Sequence, residues 1–215
     1  MIIREEFTID AWKKALKEIL LNGVDFQDDD GRVCREEFSL KIEVLDTQDK
    51  VYKPIQKLRK FDKWYYPNLQ ELKQTILSKQ AKTGFTYSYG QRFFSFKNQL
   101  NQIDNFIIPL LRKKPTSRRA TAVIYDPLTD SKESNKEIPS FLSLSFLIRE
   151  NKLNLFATIR SCEMFFGWPA NIYQISVIQD YVAKILNVKP GIVSFAIISA
   201  HIFLDQEDEI LEVID

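Results

Sequence analysis

The stretch from 141 to 203 constrains this chain more than any other. Phe141–Ile148 and Leu153–Ile159 are both β-prone, and only Arg149–Lys152 separates their ends. So short a connection makes them antiparallel neighbours, with Asn151 able to supply the turn geometry. Pro169–Leu186 reads as a long helix. Its Ile172, Ile175, Val182, Ile185 and Leu186 fall mainly on one side, with Ile178 between them. Gly191–Phe203 follows as a long β-prone run. A strand pair, a helix with an apolar face to bury and a further strand call for a large mixed or antiparallel sheet flanked by helices, an α+β architecture.

The remaining segments fit around that frame. Asp10–Leu21 is expected to be the first helix, with Trp12, Ala15, Leu16, Ile19 and Leu20 at helical spacing, Thr8 or Asp10 as its cap and Gly23 past its end. Gln27–Arg32 contains an Asp-Gly turn signal and lacks the ligand spacing of a calcium loop. Phe38–Leu45 alternates as a half-buried strand, with Phe38, Leu40, Ile42 and Val44 on one side. Lys53–Lys63 is basic and irregular around Pro54, Leu69–Leu77 and Asp104–Leu111 are helix candidates, and Ala120–Tyr125 is a strand candidate. Asp126–Glu137 is a polar, turn-rich loop and the clearest surface excursion. No repeat, low-complexity segment or linker interrupts the chain, so 1–215 is read as one domain.

Bulk properties exclude several classes. A 45% apolar content in 215 residues is globular, and a net charge of +1 gives no general reason to expect a nucleic-acid or membrane partner. Any anion site must come from a local cluster of cations. Cys34 and Cys162 form no disulfide framework, which suits a reducing, cytoplasmic setting. A single histidine and no CxxC pair argue against a structural zinc site, and no metal is expected. The first twelve residues show no basic stretch followed by an apolar run, so no signal peptide is expected. The Gly191–Leu204 run is too short and too polar to span a membrane.

Four clusters carry chemistry. Ser117-Arg118-Arg119 precedes a strand, where two guanidiniums can both face an anion, although most such triplets are solvated surface. Arg160-Ser161-Cys162-Glu163 ends a strand with a cation, a hydroxyl and a carboxylate together. Gly167-Trp168-Pro169-Ala170-Asn171 opens a helix, where the Asn171 amide could cap or read a base edge. His201-Ile202-Phe203 lies near the end of the last long strand. A lone histidine there is more often a satisfied core or surface residue than a catalyst.

In order and spacing these clusters resemble the thymidylate synthase family, which includes the nucleotide hydroxymethylases. That family runs SRR, strand, loop, PPC, strand pair, QRSxD, GxPxN, helix, HxY. This chain has Ser117-Arg118-Arg119, Ile138-Pro139-Ser140, Ile159-Arg160-Ser161-Cys162-Glu163, Gly167-Trp168-Pro169-Ala170-Asn171 and His201-Ile202-Phe203. Tyr89-Gly90-Gln91-Arg92 and Asn101-Gln102-Ile103-Asp104 look like its preceding YG and DQI segments, so the likeness covers about Tyr87–Asp205. The short N-terminal part looks most like the compact archaeal members. The resemblance implies a thymidylate-synthase-like single domain binding a pyrimidine nucleoside monophosphate, with one-carbon transfer as the family activity and a reduced folate or related pterin as carrier. It also implies a homodimer with shared phosphate sites. Arg160 and Ser161 would hold the phosphate, and Arg118 and Arg119 would reach the partner's. Asn171 would meet the uracil edge, His201 and Phe203 the sugar, and Glu163 the carrier's ring.

The departures bear on mechanism. Ser140 stands where the family keeps its nucleophilic cysteine, and Phe141 replaces the neighbouring histidine. A serine hydroxyl needs an adjacent base to attack the pyrimidine ring. Cys162 is read as a structural cysteine rather than a substitute nucleophile. Phe203 lacks the tyrosine hydroxyl, Ser145 replaces a glutamine, Ser199 replaces an aspartate, and Glu71 is only a nominal stand-in for the helical glutamate. Two other readings stay open beside the transferase. One is a catalytically inactive nucleotide-binding regulator or partner protein. The other is a different reaction on the same nucleotide, such as glycosidic cleavage with Glu163 as acid/base.

Overall fold

The computed structural model describes residues 1–81, 83–135 and 137–215. In chain order these form β1 (Ile2–Glu5), α1 (Thr8–Asn22), β2 (Val24–Gln27), β3 (Val33–Val44), α2 (Lys53–Leu58), α3 (Leu69–Leu77) and α4 (Tyr89–Phe94). A π-helical turn at Ile103–Ile107 runs into α5 (Ile108–Lys113), followed by β4 (Thr121–Val123), α6 (Pro127–Asp130), β5 (Phe141–Arg149) and β6 (Lys152–Glu163). The chain ends in α7 (Gly167–Leu186), β7 (Lys189–Phe203) and α8 (Glu207–Ile214).

Among the described residues seven strands make one mixed sheet in the order β1-β3-β7-β6-β5-β4, with β2 paired to β3 outside that path. β1–β3 and β6–β7 are parallel, and the remaining pairs are antiparallel. The fold is therefore α+β, as the strand–strand–helix–strand pattern requires. β5 and β6 turn at Glu150 and Asn151, both at positive φ (50° and 56°), the geometry of a two-residue hairpin. α1 and α7 pack on the sheet. The core lies between, built on Trp12, Trp168, Phe146 and Phe195, all fully buried. Trp12 Nε1 donates to the Met164 carbonyl at 2.7 Å, which ties α1 to the segment between β6 and α7. No described helix is long and apolar enough to cross a membrane.

Several local expectations need correction. α1 begins at Thr8 with Phe7 at the cap position and no side-chain cap; Thr8 is itself buried. Phe38 does not share the buried side of Leu40, Ile42 and Val44 but is 63% exposed. Ser39 adopts a left-handed φ of 56° and breaks the alternation between them. Around Pro54 the chain is helical, because proline fits the first turn, where its missing N–H costs nothing. The excursion at Asp126–Glu137 folds back on itself: Asp126 and Asp130 are buried, paired with Lys97 and Arg92 at 3.1 and 2.7 Å. Lys136 in that loop lies outside the described residues.

Candidate functional site

Topology brings most of the singled-out residues to one end of the sheet. β5 begins there, just after Ser140. Its antiparallel partner β6 ends there with Arg160–Glu163. β7 runs parallel to β6 and delivers His201 beside Glu163, with Ser199 beside Ser161. α7 starts from the same end, carrying Asn171 in its second turn. β3 is antiparallel to β7, so the β2–β3 turn arrives there too, with Cys34 opposite Phe203 and Glu36 opposite His201.

Ser140 is locked to β6 through its backbone, since its carbonyl accepts the Arg160 N–H at 2.9 Å. The Arg160 side chain grips the same segment. Nε donates to the Pro139 carbonyl at 3.0 Å and Nη2 to that of Ile138 at 2.9 Å. A cation thus stands beside Ser140 while staying exposed to solvent. Tyr89 closes the other side: its phenol interacts with Ser140, the Phe141 backbone, Cys162 and Arg160, and its ring is 5.3 Å from that of Phe141. Burial pushes the Tyr89 phenol above its ordinary value, against the opposing pull of the Phe141 backbone and Ser140, so it stays protonated near neutral pH and is no base. Ser140 therefore has a phenol and a guanidinium around it.

Cys162 is buried, and burial, followed by the charge of Glu163, pushes its thiol far up. A protonated buried thiol is inert, in keeping with a structural cysteine. Asn171 Nδ2 approaches its sulfur at 3.8 Å. Glu163 turns toward α7. Oε1 accepts the Phe165 N–H at 2.7 Å, and Oε2 those of Phe166 and Gly167 at 2.6 and 2.8 Å. Burial raises its carboxyl above the ordinary value while these three donors pull it back down. Its first structural task is to satisfy the N-terminal amides of α7.

His201 is half-buried. Burial lowers its imidazole below 6.5, against the opposing pull of Glu36 and Asp28, so the ring is neutral near pH 7. Its Nδ1 is buried without a partner among the described residues. Ser199 Oγ makes a short contact to Glu36 Oε1. A carboxylate from the neighbouring strand thus stands beside Ser199, which only strand pairing brings into view. Glu71 is engaged by the Asn68 N–H and the Tyr65 hydroxyl, each at 2.7 Å, as half of a capping box at the start of α3. Ser145 pairs with Thr121 Oγ1 at 2.9 Å.

Arg118 and Arg119 are not part of this cluster. Thr121 pairs with Ser145 and Val123 with Ser143, so the pair precedes β4 at the far end of β5. At about 3.4 Å per residue that is on the order of 17 Å or more from Ser140. Both are exposed.

Beside Ser140 opens a cavity of about 520 Å³, lined by Tyr87, Tyr89, Phe85, Leu72, Ile138 and Gln174 among others. Its walls are largely aromatic and aliphatic, with Thr75, Ser88, Glu137 and the Gln174 amide of α7 as polar groups. No group of three His, Cys, Asp or Glu side chains gathers as a metal site among the described residues.

Comparison with known proteins places the chain in a family. The thymidylate synthase family profile matches residues 42–215. A protein of Methanosarcina acetivorans named "Putative thymidylate synthase" is 32% identical over 202 residues, covering 94% of this chain and 89% of that protein. Its namesake from Methanosarcina barkeri is 33% identical with the same coverage. The "Deoxyuridylate hydroxymethyltransferase" of Bacillus phage SP01 is 34% identical over 131 residues, 56% of this chain and 34% of its own. The chain belongs to the thymidylate synthase family.

Proposed function

We propose that this protein binds a pyrimidine nucleoside monophosphate of the deoxyuridine monophosphate kind at the end of the sheet that carries Ser140. The carrying observation is the Arg160 guanidinium, held on the Ile138 and Pro139 carbonyls next to Ser140 and still open to solvent. A fixed cation at a strand end suits a phosphate, and Ser161 adds a hydroxyl. Asn171 offers an amide able to donate and accept at a uracil edge. His201 and Phe203 flank the sugar, and Arg118 and Arg119 complete the phosphate site of a partner subunit. The phage relative's printed name points to the same kind of nucleotide.

A reduced folate or related pterin fits the aromatic cavity, where Tyr87, Tyr89 and Gln174 would hold a flat ring. When bound, such a carrier supplies the one-carbon unit. Glu163 would stand beside its ring, although both carboxylate oxygens already serve α7. The same engagement weighs against Glu163 as acid/base in glycosidic cleavage.

The surroundings of Ser140 favour a second reading, a nucleotide-binding protein without transferase turnover. A phenol that burial keeps protonated and a guanidinium take no proton from a serine. Calorimetric titration with uridine and cytidine monophosphates, in deoxy and ribo forms, tests the binding. Saturable binding with deoxyuridine monophosphate preferred is expected, and silence with all four refutes it. Arg160→Ala should weaken the monophosphate much more than the nucleoside.

A further inference from the structure

Arg32 lies outside the motifs that carry the family resemblance, yet it sits at the same end of the sheet. It leaves the β2–β3 turn, where Asp28 Oδ1 accepts its backbone N–H at 2.7 Å. Its guanidinium carbon then lies 3.5 Å from the centroid of the Phe203 ring. Asp205 holds one edge of the fork, taking Nε at 2.9 Å and Nη2 at 2.8 Å. Among the described residues no hydrogen bond engages Nη1, and the side chain remains 41% exposed. The carboxylate of Glu163 acts on it electrostatically, which sets it within reach of the β6 terminus. Phe203 also neighbours His201, at 5.5 Å between ring centroids.

An exposed ion pair contributes little to stability, and ordering a long side chain costs entropy. Stability alone therefore does not account for a guanidinium fixed both on an aromatic face and along its Nε–Nη2 edge. Fixing it aims the remaining N–H groups, a form of preorganisation.

We propose that Arg32 is a specificity-determining contact of the nucleotide site, donating from Nη1 to the 3′-hydroxyl of the bound sugar. This rests on the nucleotide reading above. Phe203 has no polar atom to offer such a hydroxyl, and the guanidinium over its ring supplies one. The phosphate in that reading belongs to Arg160 and Ser161. Ser161 pairs with Ser199, and Phe203 lies further along β7, about 13 Å away along the strand. What assigns Arg32 to the sugar is its place over the ring of Phe203, the residue that flanks the sugar in that reading.

The test is calorimetry on the full chain with deoxyuridine monophosphate, 2′,3′-dideoxyuridine monophosphate and deoxyuridine. If the wild type binds none of them, the nucleotide reading fails and this inference falls with it. If the wild type binds, Arg32→Ala decides the inference alone. Deoxyuridine monophosphate and deoxyuridine should each lose roughly tenfold, and the dideoxy nucleotide should be unaffected. Losses confined to the two phosphorylated ligands would make Arg32 a phosphate contact and overturn the assignment. Equal losses for all three, or none, would overturn it as well. Arg32→Gln, which keeps bulk over Phe203, should give the same pattern should the alanine variant fold poorly. Phe203→Tyr placed in the Arg32→Ala background should restore the preference for the 3′-hydroxyl, and failure to restore it counts against the assignment.

Discussion

In the proposed nucleotide site Ser140 would occupy the place from which a nucleophile adds to the pyrimidine ring. A free cysteine thiol titrates near 8.5, so roughly a few per cent is thiolate at neutral pH, whereas an unassisted serine offers essentially no alkoxide. The wild type is therefore expected to give no thymidylate turnover with methylene-tetrahydrofolate and no covalent adduct with a fluorinated uracil nucleotide. Ser140→Cys, beside Arg160, should gain adduct formation without efficient turnover. Mass spectrometry decides it: a wild-type adduct at Ser140 would sink this account, and one at Cys162 would contradict a buried thiol pushed far up by its surroundings. The chain's single histidine gives a second test. Burial depresses the His201 pKa below 6.5, so the folded state favours the neutral ring. The stability linked to His201 is fully present above the unfolded value and is lost as pH falls through 6.5 toward the folded value. The imidazole C–H resonances of this one ring in a proton NMR titration should have their midpoint below 6.5; a midpoint above it refutes the burial argument. At this scale the motif residues were legible in the sequence because each motif is contiguous. Glu36 beside Ser199, Tyr89 beside Ser140 and Arg32 over Phe203 were not, because strand pairing and a turn create those neighbours.

Element boundaries followed periodicity where one face is buried and escaped it where the backbone changes phase. α3 and the β5–β6 pair fall where their apolar spacing puts them. β3 extends well before Phe38, and the left-handed Ser39 inverts which residues face inward, something alternation alone cannot show. The start of α1 was misread for a related reason: Thr8 has the composition of a cap but is buried inside the first turn. The α3–α4 contact is set by Gly90, where a Cβ would fall on the Thr75 carbonyl and 2.6 Å from that of Ile76. Both obstacles are backbone, which cannot rotate away. Gly90→Ala should destabilise by about 1–3 kcal/mol, the usual range for overpacking, read as a lower urea midpoint with unchanged slope. Glu163→Gln should cost about 1–2 kcal/mol. The amide retains one acceptor but turns an N–H₂ group toward the α7 amides that now donate to Glu163. An unchanged midpoint would mean that water satisfies those amides equally well.

The whole molecule leaves one problem unsolved by its own chain. α1 and α7 cover the sheet from one side, yet Phe38, Ile198 and Val123 on β3, β7 and β4 remain 63%, 54% and 45% exposed. Phe38 and Ile198 lie next to each other, since Phe38 pairs with Ser199. Large apolar side chains left on a sheet are commonly buried by another subunit. Arg118 and Arg119 point to the same need from the side of chemistry. They stand at the far end of β5 from Ser140, too distant to serve a phosphate at Arg160 of their own chain. In a two-fold dimer each protomer can lend its pair to the other, because an isologous interface exchanges equivalent residues reciprocally. We therefore expect a homodimer in sedimentation at micromolar protein, dissociated by Ile198→Glu, which would bury a charge at the contact. The same substitution should weaken nucleoside monophosphate binding more than nucleoside binding, since a monomer loses the partner's arginines and keeps its own Arg160, Asn171 and His201. Arg118→Ala combined with Arg119→Ala should reproduce that selective loss while leaving the dimer intact. A monomeric wild type would remove the shared-site account altogether. A dimer indifferent to both sets of substitutions would place its contact elsewhere and leave the arginine pair as solvated surface.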